Sequence, residues 1–241
     1  MQIKLDEIES NIFRIAGFPP NGFISFNHFV IRDENPALIH TGHKKTFNLI
    51  YEHVAKIINP NTIRYLCFSH FEPDECGSLN EWLGVAPQAV ACINKICDSS
   101  VNDYAIRPSL ILKDGDRLNL GVHELLFLET PHFPHNWEAS LFHEVTTKTL
   151  FSSDLGTQRG FPQESGTAVD IEDILTLQKR LRYIPFGVHL TEGLNKMRDL
   201  SIENMATMHG SPLNKQEIKD LLAILEDENR TQMERALYAY L

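Results

Sequence analysis

The chain has 241 residues, 42% of them hydrophobic, which is enough to form the core of one large α/β domain. Its formal net charge of −10, from 22 basic and 32 acidic residues, argues against nucleic acid and anionic membranes as partners, because both attract basic surfaces. The polar N-terminus does not resemble a secretory signal, and no apolar stretch approaches the roughly 18 residues of a membrane span. The four cysteines form no CxxC pair, so we expect a cytoplasmic protein.

The first half of the chain is predicted to alternate between strands and helices. Short runs of β-branched and apolar residues predict strands, and apolar residues at helical spacing predict a helix that ends at Asn59-Pro60. The predicted strands cover residues 12–16, 23–31, 37–40, 63–68 and 88–93, and the predicted helices cover residues 47–57 and 79–84. Such alternation is typical of α/β proteins.

The second half continues this pattern and ends in helices. The Asp114-Gly115 turn between two short apolar runs predicts a hairpin over residues 110–120. Further strands are predicted at 124–128, 149–151 and 205–208, and helices at 171–181, around 194–200, from 214 onward and at 232–241. No repeat or linker is visible, so we expect a single domain over residues 1–241 with C-terminal helices at about 214–241.

Potential metal ligands follow the predicted strand at residues 63–68. His70, Glu72 and Asp74 alternate along the chain, and in an extended segment residues two apart project to the same side. Ligands of open α/β sheets bind at the carboxyl ends of strands. Imidazole and carboxylate groups together suit a divalent first-row metal. The alternative is a polar surface loop after a strand.

Three further strand ends carry candidate ligands, namely His132, Asp154 and His209. With the first cluster they provide three imidazoles and three carboxylates, which fit two divalent ions sharing one carboxylate. Oxygen-rich ligation favours iron or manganese over zinc. His135 is expected to be exposed or an outer hydrogen-bond donor. His40 follows a strand near the site, where a surface or capping role is favoured over a role in the pocket.

The order of these motifs, HxExD, HxP, SxD-x-G and HG, resembles the flavodiiron proteins, a branch of the metallo-β-lactamase superfamily. The similarity includes Leu38-Ile39-His40-Thr41-Gly42, where the superfamily usually has an LIDTG-like strand end, and extends over about residues 12–212. The resemblance implies the metallo-β-lactamase fold, an αβ/βα four-layer sandwich with the metals between its sheets.

The resemblance also implies a ligand set for two iron ions. His70, Glu72 and His132 would bind one ion, Asp74 and His209 the other, and Asp154 would bridge them. Glu75 stands where the family usually has a histidine, which makes it a further candidate ligand. If its side chain points away, the second ion keeps an open position.

A second departure concerns the source of electrons. Flavodiiron reductases carry a flavodoxin module after the metal domain, whereas this chain stops at Leu241 and shows no Gly-rich phosphate loop for a flavin. We therefore expect no flavin bound by this chain, and an external electron donor such as a flavoprotein or rubredoxin.

Three functions remain open from the sequence. The resemblance implies that a diiron centre binds dioxygen or nitric oxide and reduces it, in a chain that forms a homodimer. The same pocket could instead serve as a non-catalytic oxygen sensor or store. A dinuclear metallo-hydrolase is the third alternative; the carboxylate of Glu72 argues against it, because superfamily hydrolases usually show HxHxDH and a carboxylate lowers the Lewis acidity of the metal.

Overall fold

The computed structural model describes residues 1–238, and within them the strands form two sheets. The N-terminal sheet has the strand order β1 to β7, and its strands are β1 (Gln2–Glu9), β2 (Ile12–Phe18), β3 (Phe26–Ile31), β4 (Ala37–Ile39), β5 (Tyr65–Cys67), β6 (Val90–Asn94) and β7 (Leu110–Leu112). β1 to β4 are antiparallel neighbours, whereas β4 to β7 run parallel. The parallel strands are connected through α1 (Phe47–Val54), α2 (Pro73–Cys76), α3 (Leu79–Val85) and α4 (Asp98–Tyr104).

The C-terminal sheet has the order β13-β12-β11-β10-β9-β8. Its strands are β8 (Arg117–Asn119), β9 (Glu124–Glu129), β10 (Ser140–Glu144), β11 (Thr149–Ser153), β12 (Asn204–Thr207) and β13 (Leu213–Asn214). Among the described residues of this sheet, β11 and β12 pair in parallel and all other neighbours are antiparallel. Their connection contains α5 (Ile171–Leu181) and α6 (Val188–Arg198), and α7 (Lys215–Tyr238) follows β13.

Three hydrophobic clusters define the layers. Between the two sheets, Phe29, Ile39 and Cys67 belong to the same buried cluster as Phe127, Phe142 and Phe151. On the outer face of the N-terminal sheet the cluster includes Ile50 and Trp82 of α1 and α3, and on the outer face of the C-terminal sheet it includes Ile174, Leu194 and Leu221 of α5, α6 and α7. Each fully buried large side chain contributes about 1.5–3 kcal/mol. The expected four-layer α/β sandwich is therefore confirmed.

The predicted hairpin over residues 110–120 is wrong. β7 pairs with β6 in one sheet and β8 pairs with β9 in the other, so the Asp114-Gly115 turn carries the chain across the sandwich. Leu112 and Leu118 are both buried in the cluster between the sheets. Because the two strands belong to opposite sheets, Leu112 and Leu118 can both point into the space between the sheets.

The C-terminal region also differs from the prediction. A single helix of 24 residues, Lys215–Tyr238, replaces the two predicted helices, and residues 239–241 lie outside the described part of the chain. Ile218, Leu221 and Leu225 of this helix are buried against the C-terminal sheet. Among residues 1–238, no helix combines the length and the apolar character needed to cross a membrane.

Candidate metal centre

The loop after β5 presents the first group of candidate ligands. His70 is buried at the edge of the sandwich, and Glu72 adopts an extended backbone with φ −128° and ψ 155°. Pro73 then starts α2, because its fixed φ suits the first helical position. The expected extended alternation therefore holds only to Glu72, and Asp74 is instead presented from a helical turn.

Backbone hydrogen bonds join the two sheets close to this loop. Ser140 N donates to Ser69 O at 2.9 Å, and Asn27 N donates to Met208 O at 2.9 Å. The first bond lies beside His70, and the second lies beside His209. The ends of strands from both sheets are thus held together, which brings ligands that are distant in sequence into one pocket.

Asp154 lies at the centre of the cluster, directly after β11. Its Oδ1 is 3.0 Å from His209 Nε2, and its Oδ2 is 2.5 Å from His135 Nε2 and 3.6 Å from His70 Nε2. The two oxygens of one carboxylate therefore face different imidazoles. This is the position required of a carboxylate that bridges two ions.

On the Oδ2 side, His70, Glu72 and His135 form a group whose potential ligand atoms lie within 4.8 Å of one another. The ring centroids of His70 and His135 are 4.3 Å apart, and His70 Nε2 is 3.8 Å from Glu72 Oε2. With Asp154 they offer two imidazole nitrogens and two carboxylates to one ion.

His132 does not join this group, which corrects the prediction. Its backbone is left-handed, with φ +64°, and its ring packs on that of His189 at a centroid distance of 4.4 Å. His135, three residues later, occupies the predicted place. The sequence contains a histidine on each side of Phe133-Pro134. The left-handed backbone at His132 determines which of the two reaches the centre, and no sequence pattern in the loop predicts it.

On the Oδ1 side, His209 and Asp74 form the second group. His209 Nε2 is 3.5 Å from Asp74 Oδ2, and its Nδ1 donates to the carbonyl oxygen of Ser25 at 2.6 Å. The bond to Ser25 leaves Nε2 as the free nitrogen, directed at the two carboxylates. With Asp154 this side offers one imidazole and two carboxylates.

Glu75 is buried, and it lies nearest Nδ1 of His70, whereas Glu72 and Asp154 lie nearest Nε2. Its Oε2 accepts a hydrogen bond from Ser69 N at 2.9 Å, and its Oε1 accepts one from Ser153 Oγ at 2.7 Å. His40, expected at the surface, is also buried, and its Nε2 is 3.7 Å from Glu75 Oε2. The inward position of His40 matches the alternative of a role in the pocket, and the favoured surface role is wrong.

The cluster shifts the pKa values of its own members. Burial raises the pKa of Asp154, but the hydrogen bond from His135 and the nearby imidazoles of His209 and His70 outweigh it and hold that pKa well below its usual range. Burial lowers the pKa of His70, yet the carboxylates around it, first among them Glu72, raise it to about 9. Without metal the His70 imidazole therefore holds a proton near neutral pH, which a metal ion would displace.

Within residues 1–238, two buried atoms of the centre have no hydrogen-bond partner, His70 Nε2 and Asp154 Oδ1. Unpartnered buried polar atoms are costly, and a bound cation would satisfy both. The donor set of three imidazoles and three carboxylates, with His135 in place of His132, suits a pair of divalent first-row metals. The residues therefore fit a dinuclear metal centre.

A four-layer αβ/βα sandwich with histidine and carboxylate groups at one edge of both sheets defines a protein of the metallo-β-lactamase fold. The sequence profile of the ODP family of β-lactamases matches residues 24–210. The chain therefore belongs to this family.

The chain is similar in sequence to proteins named as flavoproteins. Diflavin flavoprotein A 3 of Nostoc sp. is 30% identical over 226 residues, and the flavo-diiron protein FprA2 of Clostridium acetobutylicum is 26% identical over 232 residues. These matches cover 88% and 87% of this chain, but only 38% and 57% of the relatives. The chain thus spans well under two thirds of their length.

Solved structures share the fold at low identity. The crystal structure of residues 1–254 of diflavin flavoprotein A 5 from Nostoc sp. has a TM-score of 0.84 at 19% identity, covering 97% of this chain and 98% of that fragment. The rubredoxin oxygen:oxidoreductase of Desulfovibrio gigas has a TM-score of 0.81 at 18% identity, covering 94% of this chain and 62% of that one. At these identities the likeness establishes the fold.

Proposed function

We propose that this chain holds two iron ions, binds dioxygen or nitric oxide at them, and reduces the bound molecule with electrons from an external donor. The observation that carries the proposal is the position of Asp154, whose two oxygens face imidazoles of two separate ligand groups. The names of relatives support the metal and the reaction, since one is a flavo-diiron protein and another a rubredoxin oxygen:oxidoreductase.

The proposed ligand assignment follows the geometry. One ion takes His70, Glu72 and His135, the other takes Asp74 and His209, and Asp154 is shared. Manganese or zinc could occupy the same donor set, but three carboxylates favour iron or manganese. Iron bound by these residues would supply the redox chemistry, and the protein supplies the geometry of the pocket.

The residues of the chain have defined tasks in this proposal. The bond from His209 Nδ1 to Ser25 O fixes the ring so that Nε2 serves the ion. Tyr183 donates its hydroxyl proton to the backbone oxygen of Asp154 at 2.9 Å, and its ring lies 5.8 Å from that of His135. Tyr183 thereby supports the bridging residue and covers one side of His135.

The partners are part of the proposal. We expect a reduced flavoprotein or rubredoxin to supply the electrons, because the name of the Desulfovibrio gigas relative pairs rubredoxin with oxygen. A cytoplasmic homodimer without bound flavin completes it. Sedimentation of the purified protein tests the dimer, and its flavin absorption tests the cofactor.

The experiment that tests the function is metal analysis with absorption spectra of anaerobically purified protein, before and after exposure to air or nitric oxide. We expect two iron ions per chain, a new absorption band on exposure, and steady consumption of dioxygen or nitric oxide when reduced rubredoxin or a reduced flavoprotein is added. A stable band without consumption would identify oxygen binding without turnover. An iron-loaded protein that never responds to either gas would refute the proposal.

Asp154→Asn is the most direct variant. It removes the charge that faces three imidazoles, so we expect both ions to be lost together. Glu144→Gln is a suitable control, because Glu144 is equally buried but bonds to Thr146 and Thr147 on the C-terminal sheet, away from the centre. Loss of a single ion in Asp154→Asn would contradict the bridging role.

A further inference from the structure

Two buried residues behind the centre depart together from the pattern of the flavodiiron proteins. His40 stands at the strand end where the superfamily usually has an aspartate, and Glu75 stands where the family usually has a histidine. In the structure these two side chains face each other, with His40 Nε2 3.7 Å from Glu75 Oε2. The contact therefore has its imidazole at position 40 and its carboxylate at position 75, which is the reverse of the usual aspartate and histidine.

Glu75 is held in a fixed orientation by the protein. Each carboxylate oxygen accepts one hydrogen bond, Oε2 from the backbone of Ser69 and Oε1 from the hydroxyl of Ser153. Glu75 Oε1 also lies 3.8 Å from His70 Nδ1. Among the described residues, the imidazole nitrogens within 4 Å of its oxygens are therefore those of His40 and His70.

His70 has two nitrogens with different surroundings. Nε2 faces the carboxylates of Glu72 and Asp154, at 3.8 and 3.6 Å. Nδ1 lies 3.3 Å from Ser69 Oγ, 3.4 Å from Ser153 Oγ and 3.8 Å from Glu75 Oε1. A carboxylate on the far nitrogen of a metal-binding histidine fixes the tautomer and the orientation of the ring. Glu75 reaches this place through Ser153, whose hydroxyl donates to Glu75 Oε1 at 2.7 Å and lies 3.4 Å from His70 Nδ1.

We infer that Glu75 is a positioning residue that acts through His70, and that the second ion has only three protein ligands. These are Asp74, His209 and the shared Asp154, against four ligands for the first ion. The inference rests on the proposed metal centre and deepens it. Because each missing ligand weakens binding, the second ion binds less tightly than the first and keeps an open coordination position.

The test is a titration of the metal-free protein with cobalt(II), followed by its visible absorption and by the number of ions bound. Cobalt bands report the number and type of ligands without any need for oxygen chemistry. We expect two binding steps separated by at least about tenfold in affinity. His135→Ala assigns the steps, because it removes a ligand of the first ion alone.

Glu75→Gln separates the two roles of Glu75. For a positioning residue we expect the first step to weaken by about 10–100-fold, as for other outer partners of ligating histidines, and the second step to stay within about threefold. Weakening of the second step alone would show that Glu75 is a ligand and would overturn the inference. Far-UV circular dichroism checks that the variants fold. Ser153→Ala removes one hydrogen bond to Glu75, so we expect it to weaken the first step as well, but by less than Glu75→Gln.

The double variant His40→Asp with Glu75→His restores the family's usual pair. We expect its second step to tighten by at least about tenfold, since an imidazole then reaches the second ion; an unchanged second step would overturn the inference. Two cobalt ions bound in unequal steps, with no response of the iron-loaded protein to oxygen or nitric oxide, would refute the proposed function alone. A wild-type chain that binds fewer than two ions would overturn both.

Discussion

The two histidines that flank Phe133-Pro134 provide a matched pair of variants. His135 Nε2 is 2.5 Å from Asp154 Oδ2, whereas the ring of His132 packs on His189. Loss of an outer partner alone typically costs 10–100-fold in metal affinity, so loss of the ligand in His135→Ala should cost at least about 100-fold. That factor corresponds to about 2.7 kcal/mol for the first ion. His132→Ala should change either affinity by less than about threefold.

The assay is competition between the metal-free protein and a chelator for zinc, with metal content measured after gel filtration. Both variants replace an imidazole by a methyl group in the same loop, so loop disturbance is shared and the difference reports ligation. Thermal unfolding of the metal-free variants checks that both fold. If His132→Ala loses an ion while His135→Ala keeps both, the geometry described here is not that of the metal-bound protein.

Two further predictions concern stability. Gly193→Ala should lower the free energy of unfolding by about 1–3 kcal/mol, because a Cβ there would lie 2.5 Å from the Phe133 ring. A Cβ at Gly84 meets no described atom within 4 Å, so Gly84→Ala should raise the free energy of unfolding by about 0.5–1 kcal/mol. Urea unfolding of both variants measures the contrast. Burial lowers the pKa of His28 to about 4, so the unfolded chain binds a proton that the folded one does not, and stability present above pH 6.5 is lost as the pH falls toward 4. His28→Gln should remove up to about 3 kcal/mol of that pH dependence between pH 7 and 4, and unchanged curves would contradict a neutral buried imidazole.

The alternation of strands and helices was predictable because most strands carry continuous apolar runs. β10 was missed for the opposite reason, since Ser140, His143 and Glu144 are polar yet buried. Glu144 accepts hydrogen bonds from the backbone of Thr146 and Thr147, which compensate its burial. Such compensation depends on residues brought together by the turn that follows, so a hydrophobicity pattern cannot reveal it.

The hairpin error has a related cause. The turn at Asp114-Gly115 has the expected local chemistry, including a hydrogen bond from Lys113 N to Asp116 Oδ2 at 2.8 Å. The same turn is compatible with strands that pair with each other or with strands of two different sheets. Gly115 N donates to Phe127 O and Phe127 N donates to Asp116 O, so contacts with β9 decide the outcome. Those contacts are long-range and leave no trace in residues 110–120.

The candidate site was more predictable than the details of its loops. Residues directly after β5, β11 and β12 were identified because strand ends are rigid and converge, and the structure brings His70, Asp154 and His209 together. The choice between His132 and His135 depends on the left-handed backbone of one loop residue, His132. Many loop sequences allow this conformation, so the sequence alone does not predict it. The burial of His40 depends likewise on its left-handed φ of +63°, which places the ring inside the sandwich.

The position of the centre links metal binding to the packing of the two sheets. His70, Glu72 and Asp74 follow a strand of the N-terminal sheet, while His135, Asp154 and His209 follow strands of the C-terminal sheet. Neither sheet alone offers the complete ligand set of either ion, because Asp154 must reach both groups. Ions bound here would favour the packed sandwich over the unfolded chain in proportion to their affinity. The weaker second ion inferred from Glu75 would then contribute the smaller share, so the two sides of the centre would differ in stability as well as in ligands.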